Sequence, residues 1–140
     1  MKNRLFVATR KGAFVLERRM AAKWEVVHSG FLGDNLSIIT HDGRDGSVYV
    51  AAAHGHFGVK VHRSDDGGQT YTEIAAPQYP PQPEGQVDLC PMRKTPIPWK
   101  TELVWALVPG GKDEPGVLWC GTIPGGLFKT TDRGATWELV

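Results

Sequence analysis

Ser64-Asp65-Asp66-Gly67-Gly68-Gln69-Thr70-Tyr71 and Thr130-Thr131-Asp132-Arg133-Gly134-Ala135-Thr136-Trp137 are two copies of one phrase, S/T-x-D-x-G-x-T-aromatic. The second follows the first by 66 positions, counted from Asp66 to Asp132 (132 minus 66). A phrase that recurs in this way marks a repeat protein and largely decides the fold. The residue types suit a tight hairpin turn. Gly68 and Gly134 accept a left-handed backbone position, and the carboxylates of Asp66 and Asp132 can take the amides of their own turn. Thr70 and Thr136 suit the strand that follows, and the closing aromatic, Tyr71 or Trp137, is expected to pack between neighbouring sheets. The turn accounts for Ser64, Asp66, Thr130 and Asp132, so their expected role is structural.

Three segments align on their aromatic ends: residues 5–27, 48–74 and 117–140. Each reads as strand, Gly-containing turn, strand, tight turn, strand. The first copy is degenerate, keeping only Trp24, and its hairpin over residues 17–23 is expected to be looser. Alternating stretches at 36–40 and 103–108 precede the later copies, which makes four strands, A to D, per repeat. The opening repeat lacks strand A. The aromatic markers stand 47 residues apart from Trp24 to Tyr71 but 66 apart from Tyr71 to Trp137. The excess falls in residues 76–100, which hold seven of the ten prolines and therefore read as an extended loop.

The repeated phrase is similar to the Asp-box, the bacterial neuraminidase repeat (BNR) of sialidase-like β-propellers, with Thr130 in place of the usual Ser and Tyr71 in place of the usual Trp. The resemblance implies an all-β fold: a partial β-propeller of about three four-stranded antiparallel blades, at about 3–28, 35–75 and 102–140. A closed propeller needs about four to eight blades. The 140 residues are therefore expected to be part of a longer propeller or to complete a ring by self-association.

The formal charge is +1 with both signs interspersed, which argues against nucleic acid or an anionic membrane as partner. No apolar run approaches the length of a membrane span. A strand begins almost at Met1 with no leader before it, so a cytoplasmic location is expected. Cys90 and Cys120 show no C-x-x-C spacing; they suit free thiols in a reducing compartment, though a disulfide between them stays open.

Turns alternate between the two ends of an antiparallel blade, so the end opposite the repeated turns is built from residues 9–12, 28–35, 53–56, 122–126 and the proline-rich loop. In sialidase-like propellers the catalytic face is also the one away from the Asp-boxes. Its polar candidates are Arg10, Lys11, Asp34, Asn35, His54, His56, Asp88, Arg93, Lys94 and Glu102, with Trp99 as a stacking platform. Arg10, Lys11, Asn35, His54, His56 and Trp99 form the expected ligand set, suited to a carbohydrate or a small anion. His54 and His56 stand at i, i+2 without a third ligand, which points to hydrogen bonding or proton transfer rather than a metal. No cofactor is expected, and Gly125-Gly126 reads as a turn.

Two functions follow. One is a non-catalytic binding module with its site on that loop face. The other is an exo-glycosidase of sialidase type, for which Asp34 and Asp88 are the candidate acids and Arg10 the anion contact. The family's Arg-Ile-Pro motif is missing, since Ile97-Pro98 follows Pro96 and Ile123-Pro124 follows Thr122. No catalytic residue is carried over by motif, and the binding module is the preferred reading.

Overall fold

A computed structural model describes residues 3–19 and 23–140. Its strands are β1 (Arg4–Thr9), β2 (Gly12–Arg19), β3 (Lys23–Gly30), β4 (Leu36–His41), β5 (Val48–Ala53), β6 (Val59–Ser64), β7 (Thr72–Ile74), β8 (Leu103–Pro109), β9 (Leu118–Ile123), β10 (Gly126–Thr130) and β11 (Glu138–Leu139). They form three antiparallel sheets in the orders β1-β2-β3, β4-β5-β6-β7 and β8-β9-β10-β11. The edge strand β4 packs between β1 and β8, so the sheets stack side by side. The hairpin expected to be loose falls partly on residues 20–22, outside the described residues. No helix among the described residues is long and apolar enough to cross a membrane.

The middle sheet shows why the core is continuous. In β5, VYVAAA, successive side chains point to opposite faces. Tyr49 and Ala51 join Val61, Val104, Leu107, Leu118, Cys120 and Phe128 between the second and third sheets. Val50 and Ala52 join Ala13 and Leu36 between the first and second. A strand covered on both faces needs an unbroken apolar run, not an alternating one. Each fully buried Val or Leu here contributes about 1.5 to 3 kcal/mol. Cys120 belongs to this core: burial pushes its thiol up to about 12, so it packs as an apolar side chain. Both cysteines are free thiols.

The two repeated turns share one hydrogen-bond pattern. Ser64 Oγ donates to Asp66 Oδ1 at 2.7 Å and accepts from Gly68 N–H at 2.8 Å. Asp66 then accepts Thr70 N–H at 2.9 Å and Thr70 Oγ–H at 2.5 Å. In the second turn Thr130 Oγ1 donates to Asp132 at 2.7 Å and accepts from Gly134 N–H at 3.1 Å, while Asp132 accepts Thr136 N–H and Oγ–H at 2.9 and 2.6 Å. Threonine serves in place of serine because the pattern uses only the hydroxyl. Gly68 and Gly134 sit at φ +89° and +86°, and a Cβ on either would meet Val15 or Ile74 below 3 Å. The aromatics reach back to the preceding sheet: Tyr71 packs edge-on against Phe31 at 4.9 Å, and Trp137 Nε1 donates to the Ala75 carbonyl at 2.8 Å.

Hydrogen-bond donors on each carboxylate hold Asp132 down to about 2 and Asp66 lower still, the Thr136 and Thr70 hydroxyls being the largest cause. A depressed carboxyl pKa contributes stability that is complete above the unfolded value, about 3.9, and is lost as pH falls toward the folded value. Stability is therefore expected to drop between about pH 4 and pH 2. An Asp66→Asn/Asp132→Asn double variant should be less stable at pH 7 and flatter across that window, as read by denaturant melts at each pH. An unchanged slope would remove the turns from the acid response.

Candidate functional site: the loop end opposite the repeated turns

Strand alternation collects at one end the turn between β1 and β2, the connection at 31–35, the turn at 54–58 with its short 3₁₀ helix (Gly55–Phe57), the long segment before β8, and the turn between β9 and β10. The long segment is not strand, as its prolines dictate, but it is ordered by its own bonds. Asp88 and Ile97 are joined by an Ile97 N–H to Asp88 carbonyl bond of 2.7 Å, Leu89 bridges Pro96, and Cys90 bonds Thr95 and Lys94 at 2.8 Å each. The resulting hairpin lifts Met92, Arg93 and Lys94 into solvent.

Tyr79 anchors this segment to the third sheet, and Trp99 packs beside it. Tyr79 Oη donates to the Pro124 carbonyl at 2.8 Å and lies 3.3 Å from Thr122 Oγ1. Its ring packs edge-on against buried Phe128 at 5.3 Å and faces Trp99 at 6.4 Å. Trp99 Nε1 donates to Asp88 Oδ2 at 2.8 Å, so Asp88 orients the indole. A hollow opens on each side of this pair. One, about 320 Å³, is lined by His56, Phe57, Pro77, Gln78, Tyr79, Trp99, Lys100 and Thr101. The other, about 510 Å³, is walled by Ile97, Pro98, Trp99, Leu127, Leu139 and Val140 and is the more apolar. In the first, Thr101 is only 6% exposed and its Oγ1 has no hydrogen-bond partner. A buried hydroxyl without a partner costs roughly 1 to 3 kcal/mol, which a ligand's polar group can recover.

A third hollow, about 490 Å³, lies beside the edge strands β4 and β8 and is lined by Arg10, Asn35, Leu36, Ser37, Leu103, Val104 and Trp105. The expected ligand residues are thus divided between places. Arg10 and Asn35 share this third hollow, whereas His56 and Trp99 share the first. Lys11, Asp34, His54, Arg93, Lys94 and Glu102 line none of the three. The 3₁₀ turn parts the two histidines. His56 meets exposed Phe57 edge-on at 5.7 Å, while His54 stands near His62 of β6. Burial lowers the His62 imidazole below its ordinary pKa, and Phe31 covers its ring edge-on at 4.8 Å. Among the described residues no group of three or more His, Cys, Asp or Glu side chains could hold a metal ion.

Tyr79, Thr101 and Trp105 were not among the residues singled out from the sequence. Tyr79 had a signal, an aromatic between Pro77 and Pro80 in the longest loop. Thr101 and Trp105 had none, since their roles depend on which strands meet.

No protein-family model matches the chain, and no curated protein matches it. Among solved structures, the one described as YCF48 bound to D1 peptide superposes with a TM-score of 0.56 over 99% of this chain, at 15% sequence identity. The three sheets are β-propeller blades. The chain spans 36% of the length of that neighbour's chain, and the likeness is one of fold. The blade that opens the chain has three strands among the described residues, and the two that follow have four each.

Proposed function

We propose that this chain supplies part of a binding propeller whose loop end receives a polypeptide segment of a partner across the Tyr79–Trp99 pair. The observation that carries the reading is the pairing of two unlike hollows on either side of that pair, the first with the unpartnered Thr101 hydroxyl and the second walled by apolar side chains. An extended peptide presents both characters: backbone amides and carbonyls for Thr101, and an apolar side chain for the Ile97, Leu127 and Leu139 wall. The D1 peptide bound to the structural neighbour supports the same class of partner. Against the glycosidase reading, the Asp88 carboxylate is engaged by the Trp99 indole, and Asp34 lines none of the three hollows.

The test is selection of binders from a displayed random-peptide library, followed by affinity measurements on two variants. Trp99→Ala should cost about 2 kcal/mol or more, roughly thirtyfold, as loss of an aromatic anchor does. Gly126→Ala should also weaken binding, because Gly126 lines the second hollow and its new Cβ would collide with the Tyr79 hydroxyl and push that ring from its seat. Peptides that bind both variants as well as the parent chain would refute the site, and a library that yields no binder would refute the partner class.

A further inference from the structure

The third hollow stands apart from the Tyr79–Trp99 pair and has a different chemistry. Its floor is apolar: Leu36 and Val104 are both buried. Trp105 is 69% exposed and forms an aromatic wall, although it belongs to a strand whose neighbours Val104 and Leu107 are core residues. The chain leaves its β-register here, with a bulge between Val104 and Ala106 opposite Thr122 and Gly121. A bulge re-aims a side chain, and this one falls at Trp105. A second bulge lies between Leu36 and Ile38 of β4, at Ser37, which also lines the hollow. Two facing edge strands are thus both irregular at the same hollow.

The polar groups are few and uncommitted. Arg10 is exposed in the turn between β1 and β2, held there by Thr9 Oγ1, which accepts the Lys11 N–H at 3.0 Å and donates to the Gly12 carbonyl at 2.9 Å. Its guanidinium makes no hydrogen bond or ion pair with a described residue. The Asn35 carboxamide is equally unengaged, although the Asn35 carbonyl is fixed by Ala53 N–H at 3.0 Å. Ser37 Oγ spends its proton on the Ala51 carbonyl at 3.3 Å, leaving lone pairs to accept.

From these residues we infer that the hollow is a small-molecule site for a flat, monoanionic ring carboxylate. Among the described residues Arg10 is the one cation lining it, which balances one negative charge and not the two of a phosphate monoester. A planar guanidinium meets a carboxylate through two parallel bonds. Asn35 adds a donor, Ser37 accepts from a hydroxyl or amine on the ring, and Trp105 stacks on the ring above the Leu36–Val104 floor. A sugar acid is disfavoured by the same inventory, because an apolar floor leaves its several hydroxyls without partners. A cavity of about 490 Å³ lies in the range usual for small-ligand sites.

The probe is 4-hydroxybenzoate, with 4-hydroxybenzamide as the uncharged match and N-acetylneuraminate as the sugar acid. The readout is the indole N–H resonance of each of the five tryptophans in a labelled chain, at a concentration where light scattering shows one species. Binding should move the Trp105 resonance saturably and leave Trp99 in place. Arg10→Met should weaken the carboxylate at least tenfold with the other indole resonances unchanged, and Arg10→Lys should recover part of the loss. The inference is overturned by any of three results: no saturable shift at Trp105, an equal response to the amide, or preference for the sugar acid. Because Trp99 and Trp105 report separately, failure here leaves the peptide reading untouched, and failure of that reading leaves this site untouched.

Discussion

Replacing Arg44 by alanine is expected to lower the unfolding free energy by about 3 to 5 kcal/mol, the cost of stripping a buried carboxylate of its partner. Asp42 is 2% exposed, yet it is an ionised group next to a sheet interface. Arg44 grips it with a fork, Nε to Oδ1 at 2.9 Å and Nη2 to Oδ2 at 2.6 Å, and its backbone N–H adds a third bond at 2.9 Å. These contacts hold the Asp42 carboxyl below the usual range, the Arg44 side chain being the largest cause. The same guanidinium crosses to the third sheet and donates to the carbonyls of Gly111 at 3.1 Å, Glu114 at 2.5 Å and Val117 at 2.7 Å. Other polar contacts join these sheets as well: Thr40 Oγ1 donates to the Leu107 carbonyl at 2.6 Å, and Arg133 pairs with Asp45 at 3.1 Å and Asp65 at 2.6 Å. The midpoint of thermal unfolding should fall by roughly 10 °C. Arg44→Lys should be intermediate, since an ammonium keeps the charge but not the fork. A Asp42→Leu/Arg44→Met double variant should recover most of the loss, because the Gly111, Glu114 and Val117 carbonyls each also accept a backbone N–H. Denaturant titration decides the matter: an Arg44→Ala variant within about 1 kcal/mol of the parent would mean that solvent reaches Asp42 and replaces its partner.

The 140-residue chain is expected to self-associate in solution, and charge placed on its end faces should abolish this. The outermost faces of the first and third blades are apolar and uncovered. On the first, cross-strand pairing sets Leu5 against Leu16 and Leu16 against Val26, and Val26 is 58% exposed. On the third, Val108 pairs with Trp119, and Val108 is 55% exposed. Lys129 lies over the Trp119 ring at 5.0 Å, a cation on an otherwise apolar surface. Inside the molecule, faces of this kind are buried against the next blade, and apolar patches of this extent mark interaction surfaces. Light scattering coupled to size exclusion should show mass rising with concentration for the parent chain. A Val26→Lys/Val108→Lys variant should run as one species with unchanged unfolding, since neither side chain is in the core. A parent chain that stays monomeric at about 100 µM would mean that these faces do not drive association at the micromolar affinities common for transient contacts.

The fold was legible because its punctuation is local. The S/T-x-D-x-G-x-T turn is made by a hydroxyl, a carboxylate and a left-handed glycine within seven residues, so one short window carries the whole arrangement. The strand count, the loop at 76–100 and the end of the sheets opposite the turns follow from counting between such windows.

The site was legible only as a collection. The sequence could say that Arg10, Asn35, His56 and Trp99 lie at one end, since strand direction alone settles that. It could not say that Arg10 and Asn35 share a hollow while His56 and Trp99 share another, for that depends on how sheets pack edge to edge. Nor could it show that Asp88, weighed as an acid, spends its carboxylate on the Trp99 indole eleven residues away. Tyr79, Thr101 and Trp105 emerged only from tertiary structure. The bulge beside Trp105, the partnerless Thr101 hydroxyl and the seat of Tyr79 against Phe128 are consequences of long-range packing, and no local pattern of residues records them.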